Sequence, residues 1–285
     1  MARRSEAQAG RSVTSKVLAI LEVFGSGAPS VSLTTIAEKA DLPLPTAHRL
    51  VGELVEGGAL VRHPSGQYAI GVRLWEIAQN SSRPLREAAR PHLQDLFSLT
   101  GETVHLALHD GRQVLYIDRI YGSRRVPRAS RVGGRLPLHA TAVGKVILAY
   151  QEEWFQQAYV NGPLEAPTQH TRIRPRALLA EMAEVRKQGY ARTNQEVRVG
   201  AASLAVPVFS EDGRVRVSIG MVVQSTQADL LMRHLPTMLG VAGRLVAVAR
   251  LAEELTESPA SIQWKTTVAA VAKRRQAEAN LDTKE

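Results

Sequence analysis

Residues Ser32 to Leu54, SLTTIAEKADLPLPTAHRLVGEL, form two short helical runs separated by a break. In the second run Ala47, Leu50, Val51 and Leu54 recur at i, i+3, i+4 and i+7, a single stripe that has to be buried. At about 100° per residue, Arg49 points away from that stripe, with Thr46 and His48 on its flanks. Pro45 suits the first helical position, where its missing N–H and fixed φ do no harm. The first run, Leu33 to Ala40, turns Ile36 and Ala37 inward, and Asp41-Leu42-Pro43 supplies the break. Such a pair reads either as a helix-turn-helix that presents Arg49 to DNA or as ordinary packing of an αα-hairpin.

The flanking residues favour the DNA reader. Leu60-Val61-Arg62-His63, Pro64-Ser65-Gly66 and Gln67-Tyr68-Ala69-Ile70 read as strand, turn and strand. Upstream, Val13, Val17, Leu18, Ile20, Leu21 and Phe24 keep helical spacing and stop at Gly25, with Ser12 placed to cap the run. Three helices and a hairpin make residues 12–72 a winged helix-turn-helix, preceded by a flexible N-terminus over 1–11.

A chain of 285 residues is too long for that domain alone, so a second one is expected. The absence of Cys excludes disulfides and thiolate metal sites. No apolar segment follows the charged MARRSEAQAG, and no run is long enough to span a membrane, so a cytoplasmic protein with no membrane partner is expected. The net charge of +9 does not sit on the reader, since residues 1–72 hold seven basic and six acidic groups. It concentrates in 73–200, with 19 basic and 12 acidic groups. The densest run there is Arg119, Arg124, Arg125, Arg128, Arg131 and Arg135. That run is either a solvated like-charged face or an auxiliary contact to phosphates or an acidic partner.

A connecting helix is read over 73–80 within a linker 73–82. Helical spacing resumes at Leu85, Ala88, Ala89, His92, Leu93, Leu96 and Phe97. The period then becomes two: Val104, Leu106 and Leu108, a turn at Asp110-Gly111, then Val114, Tyr116 and Asp118. Further strands are read at Leu204–Phe209 and Val215–Val223, and further helices at Ala140–Tyr150, Pro175–Gln188 and Asp229–Leu255. Residues 83–257 therefore form an α+β domain, an antiparallel sheet carrying helices. A charged tail, partly helical and poorly ordered, is expected over 258–285.

Three segments now carry a resemblance: the Leu33–Leu54 pair with its wing, Arg135-Leu-Pro-Leu-His-Ala-Thr-Ala-Val-Gly-Lys145, and Gly189-Tyr-Ala-Arg-Thr-Asn-Gln-Glu196 with Gly200. From Val13 to Leu255 the chain resembles the isocitrate-lyase-regulator (IclR) family of bacterial transcription factors. The resemblance implies a winged helix-turn-helix, a linker helix and a GAF-like effector-binding domain. It also implies homodimers, often paired into tetramers, on operator DNA. The family's Ser-Thr-x-His-Arg run appears here as Pro45-Thr46-Ala47-His48-Arg49, with Pro45 replacing the Ser. The effector pocket is implied at Thr141, Ala142, Val143, Thr193, Ser203, Gly220 and Val222. Relatives that bind small carboxylates carry an Asp, a Cys and two Ser at the last four positions. Thr193, Ser203, Gly220 and Val222 offer fewer hydrogen bonds, more room and an apolar wall, which favours a hydrophobic or aromatic metabolite.

The DNA-binding residues are then Thr46, His48, Arg49, Arg62 and His63. Arg49 suits the guanine edge, Thr46 a phosphate or thymine methyl, and the wing pair phosphate or the minor groove. His48 reads equally as a phosphate donor or a partly buried helix residue. His105, His109, His139, Thr141 and Lys145 invite an enzymatic reading, but no hydrolase, phosphate-loop or dinucleotide motif accompanies them. His105 and His109 stand about 13 Å apart along a strand, too far to share a metal. The reading is an effector-modulated transcriptional regulator, a repressor before an activator, without a cofactor. An architectural DNA binder and an enzyme fused to a DNA reader are the alternatives.

Overall fold

Ser12 opens the first helix: its Oγ accepts from the Ser15 N–H at 3.1 Å, satisfying a donor that a helix start leaves orphaned. The computed structural model describes residues 11–25, 28–79, 83–122 and 130–254. The expectations for residues 1–10, for Ser81 and Ser82, for Arg124, Arg125 and Arg128, and for the 258–285 tail lie outside these. The described residues separate into two compact units, one extending to Arg83 and the other beginning at Pro84.

The first unit comprises α1 (Val13–Phe24), α2 (Leu33–Lys39), α3 (Leu44–Glu56), β1 (Leu60–Arg62), β2 (Tyr68–Ile70) and α4 (Val72–Gln79). Ser32 caps α2 through the Thr35 N–H at 3.2 Å. Asp41 takes the left-handed conformation (φ 52°) that turns the chain, and Leu42 N–H closes the turn on the Ala37 carbonyl at 2.9 Å. Pro45 is the second residue of α3, not the first; its missing N–H is still one of the donors that lack an intrahelical partner. Ile36, Ala47, Leu50 and Val51 are buried with Ile20, Phe24, Leu60 and Tyr68 in one core. Truncating Leu50 to Ala would cost about 2–5 kcal/mol. In the wing, β1 and β2 pair antiparallel with Leu60 opposite Ile70. A Cβ at Gly71 would stand 2.1 Å from the Gly58 carbonyl oxygen, so only glycine lets the wing return this close.

The second unit is built on six antiparallel strands in the order β5-β4-β3-β8-β7-β6. They are β3 (Thr103–Asp110), β4 (Gln113–Ile120), β5 (Arg135–Pro137), β6 (Ala191–Asn194), β7 (Ala201–Phe209) and β8 (Val215–Gln224). The helices are α5 (Arg83–Thr100), α6 (Ala142–Ala149), α7 (Glu153–Val160), α8 (Pro175–Gln188), α9 (Leu235–Gly243) and α10 (Val246–Glu254). One sheet face, with Val104, Leu106, Leu204, Val206, Ile219 and Met221, is covered by α5, α9 and α10. The other, with Ala107, Val114, Tyr116 and Ala205, is covered by α6, α7 and α8. Strand β3 is consequently buried along its whole length, polar positions included.

Two readings of this region change. The helix expected over Asp229–Leu255 is broken into a 3₁₀ stretch (Ser225–His234), α9 and α10. Pro236 falls in the first turn of α9, so an α-helix cannot run through it, and the segments either side of residue 244 meet at 61°. The alternation read through Val114, Tyr116 and Asp118 is interrupted by a β-bulge: Leu106 faces Asp118, Ala107 faces Tyr116, and Ile117 is the extra residue. No single helix among the described residues is long and apolar enough to cross a membrane.

Candidate functional site

Two sites emerge, one in each unit. On α3 the buried stripe leaves Arg49 and His48 exposed and Thr46 half-buried, so His48 is a surface residue and not a packed one. The Arg49 guanidinium is held by Glu53 one turn on, an exposed pair that contributes about 1 kcal/mol at most. Arg62 and His63 are exposed at the wing tip, and the Arg62 guanidinium carbon lies 5.9 Å from the centre of the Tyr68 ring. The fold thus exposes four of the five sequence-selected residues, with Thr46 half-buried beside them, on a helix and a hairpin built on one core.

In the second unit all seven residues selected for an effector line one cavity of about 50 Å³ between α6 and the sheet. Strand register explains how residues so distant in sequence meet. Thr193, Ser203 and Val222 are consecutive cross-strand partners on β6, β7 and β8, and Ala205, Gly220, His105 and Arg119 form the next row. Thr141 caps α6: its hydroxyl accepts from the Gly144 N–H at 3.0 Å and donates to the Pro137 carbonyl at 3.3 Å.

The room expected from Gly220 is not there. A Cβ at that position would lie 2.6 Å from Val143 Cγ1, so Val143 already fills the space that the missing side chain vacates. The apolar wall is present, made by Tyr116, Leu136, Ala142, Val143, Val197 and Val222.

Several lining residues escaped the sequence reading: His105, Tyr116, Arg119, Glu196 and Arg198. The bulge is the reason for Arg119. Beyond Ile117 the strand's phase reverses, so Asp118 turns to α5, where Arg90 bonds it at 3.0 Å, and Arg119 turns to the cavity. Of the described members of that arginine run, Arg119 lines the cavity, Arg131 and Arg135 are exposed, and Arg135 donates to Asp110 at 2.7 Å.

Burial, and then the charge of Arg119, hold the His105 imidazole down at about 3, so it is neutral. Burial alone raises the Tyr116 phenol. Behind the cavity wall Lys145 is fully buried, with Nζ 2.7 and 2.9 Å from the two carboxylate oxygens of Glu196 and 2.8 Å from Glu181. Burial pushes the Glu196 carboxyl up, and the ammonium beside it pulls the other way.

His139 does not face this cavity. Its Nε2 bonds the Glu165 carbonyl at 2.8 Å, and its Nδ1 lies 2.8 Å from the Tyr159 hydroxyl. With the carbonyl accepting, Nε2 carries the proton and Nδ1 accepts from Tyr159. The ring is a structural connector, lowered in pKa first by burial. His109 likewise bonds the Gly111 carbonyl at 2.9 Å. Among the described residues no three His, Cys, Asp or Glu side chains converge on a metal-sized site.

Comparison with known proteins adds to this geometry. Residues 13–64 match the IclR helix-turn-helix domain, and residues 78–235 match the bacterial transcriptional regulator IclR C-terminal domain. The chain is 34% identical over 223 residues to the HTH-type transcriptional regulator XynR of Escherichia coli, covering 75% of this chain and 86% of that one. It is 32% identical over 201 residues to the transcriptional repressor IclR of the same organism, covering 68% and 73%. Among solved structures, an IclR homolog from Microbacterium hydrocarbonoxydans complexed with 4-hydroxybenzoate superposes with a TM-score of 0.77 at 29% identity, over 84% of this chain and 99% of that one.

Proposed function

The chain belongs to the IclR family of DNA-binding transcriptional regulators, and from that premise we propose that it is a sequence-specific repressor whose operator affinity is set by a hydrophobic or aromatic metabolite. The observation that carries the proposal is the cavity: seven residues from α6 and three strands close around it in a chain that also presents Arg49 on an exposed recognition helix. Thr46, His48 and Arg49 enter the major groove, and Arg62 and His63 hold the phosphates beside it. The functional form is a homodimer, or a tetramer of two such pairs, in the cytoplasm. No catalytic step is assigned to the cavity. The ligand bound by the Microbacterium relative, 4-hydroxybenzoate, is of the class that the apolar wall favours.

Size gives the proposal a mechanism. A cavity of about 50 Å³ is a third of the roughly 150 Å³ known to accept a benzene ring. An aromatic effector therefore selects an arrangement with Val143 and the 196–198 wall displaced. A ligand can shift a regulator only through such differential affinity for two arrangements.

The test is to enrich a duplex by binding-site selection and measure its affinity by fluorescence anisotropy, with and without each metabolite that raises the melting temperature. The expected result is roughly a 5- to 150-fold change in operator affinity. No change for any tight-binding metabolite refutes effector control and leaves an architectural binder. Turnover of a bound compound points instead to an enzyme.

A further inference from the structure

The outward face of α3 carries a glycine near its centre. At about 100° per residue, Pro45, Arg49, Gly52 and Glu56 form the ridge opposite the buried stripe of Ala47, Leu50 and Val51. Arg49 and Gly52 lie about 60° apart around the helix axis and about 4.5 Å apart along it. We propose that Gly52 is the point of closest approach between α3 and DNA, where bare backbone meets base-pair edges that a side chain would hold off. This rests on the reading of α3 as the helix that enters the major groove.

Three observations support it. Glycine is among the least favourable residues in a helix interior, because it gives up the most backbone freedom on folding. Gly52 stands well inside the 13 residues of α3 and is not one of the glycines with positive φ, so no turn requires it. Second, packing does not require it either. Gly52 is half-buried, yet a Cβ there would meet nothing within 4 Å apart from its chain neighbours. At Gly144 in α6, by contrast, a Cβ would stand 2.3 Å from the Leu138 carbonyl oxygen. Third, the Arg49 guanidinium is held by Glu53, on the side of Arg49 away from Gly52, so the long side chain next to the glycine leaves it uncovered.

An open helical glycine is not by itself a contact, since Gly240 of α9 has equally open surroundings. Gly52 differs in its place, on the ridge that faces away from the core and beside the exposed residues His48 and Arg49. A helix with its side chains is about 10–12 Å across, and the major groove is about 12 Å wide. The fit leaves little to spare, and a methyl group added to the middle of the ridge lifts the helix from the base edges that Arg49 reads.

The test uses full-length Gly52→Ala and Gly52→Leu. Fluorescence anisotropy at one salt concentration compares the duplex selected by the wild type with an unrelated duplex. Ala and Leu are both strong helix formers, so each variant should melt a few degrees above the wild type. Each should nevertheless bind the selected duplex more weakly, Ala by roughly 5- to 100-fold and Leu by more. Affinity for the unrelated duplex, carried by phosphate contacts, should stay within about threefold. Undiminished affinity of Gly52→Leu for the selected duplex overturns the inference, as does an equal loss on both duplexes or a fall in melting temperature for Gly52→Ala. If Arg49→Ala still relaxes base choice, the reading of α3 survives that failure; if neither residue affects DNA binding, both fall.

Discussion

Replacing Lys145 by Met keeps the side chain's length and removes its charge, and the structure sets what that costs. The ammonium sits at 0% exposure and makes three charge-assisted hydrogen bonds of 2.7 to 2.9 Å, two to Glu196 and one to Glu181. Glu181 keeps a second cation, Arg172, at 3.3 Å. Glu196 keeps the Arg172 backbone N–H at 3.4 Å, and its side chain is only 5% exposed. The variant therefore strands one buried carboxylate, a loss of about 3–5 kcal/mol. Since 1 kcal/mol shifts the melting temperature of a domain of this size by about 2–4 °C, a fall on the order of 10 °C is expected. The companion variant Glu196→Gln removes the charge that Lys145→Met strands. The double variant should then be more stable than the sum of the two single losses predicts, by about 1–3 kcal/mol. Chemical denaturation of all four proteins completes the cycle. A Lys145→Met loss below about 1 kcal/mol, or losses that add within about 0.5 kcal/mol, would refute the view that this pair holds the cavity wall.

Other consequences follow from the same residues. Arg49→Ala should relax base choice at one operator position at a cost of about 1–3 kcal/mol, whereas Arg62→Ala should weaken all sequences alike and reduce the salt slope by about one; a duplex-mutation panel titrated in salt separates them. His105 is held neutral at about 3 against an ordinary 6.5, so the stability it confers is complete above pH 6.5 and drains away as pH falls toward 3. At pH 5 that amounts to about 2 kcal/mol. His139 is lowered in the same direction, and His105→Asn should flatten the profile measured by urea unfolding. Gly220→Ala drives a Cβ to 2.6 Å from Val143 Cγ1 and should cost about 1–3 kcal/mol through overpacking. Adding Val143→Ala should recover most of that loss in thermal unfolding, and no recovery would mean that the strain lies elsewhere.

Periodicity made the first unit legible because each helix there packs a single face on one small core. The stripe of Ala47, Leu50 and Val51 and the Ser12 cap stand where their spacing put them. In the second unit the central strand β3 is buried on both faces, and polar residues there carry no outward signal. His105 therefore looked like one partner of a half-exposed alternation. Strands β5 and β6 are three and four residues long, too short to establish a period. The resemblance supplied the seven cavity positions that periodicity could not. It did not supply Arg119, because a bulge is a mismatch between two strands that neither sequence shows alone. Nor did it show that Val143 would close the space above Gly220, which depends on how near α6 approaches the sheet.

That approach also explains why two separated segments accompany one another. In Arg135–Lys145, Gly144 allows α6 to start hard against the preceding loop: a Cβ there would lie 2.3 Å from the Leu138 carbonyl oxygen and 2.5 Å from Thr141 Oγ1. The next residue, Lys145, is thereby carried into the interior, where an ammonium persists only with a partner. One partner is Glu181 on α8, and the one bonded through both oxygens is Glu196, the last residue of the Gly189–Glu196 segment. Its position is fixed independently, since Thr171 Oγ1 donates to the Glu196 carbonyl at 2.6 Å and Thr168 Oγ1 to the Gln195 carbonyl at 2.7 Å. Gln195 sits at φ 60°, and its side chain accepts from the Gly200 N–H at 3.0 Å, which fixes the return to β7. Each segment leans on the other: without the second, Lys145 would keep Glu181 alone, and without the first, Glu196 would be buried with only the Arg172 N–H. The residues between Glu196 and Gly200 include Val197 and Arg198 of the cavity wall. On the proposed function, an effector that displaces this wall would work against a buried charge pair joining it to α6, and that pair is then where binding would be felt beyond the cavity.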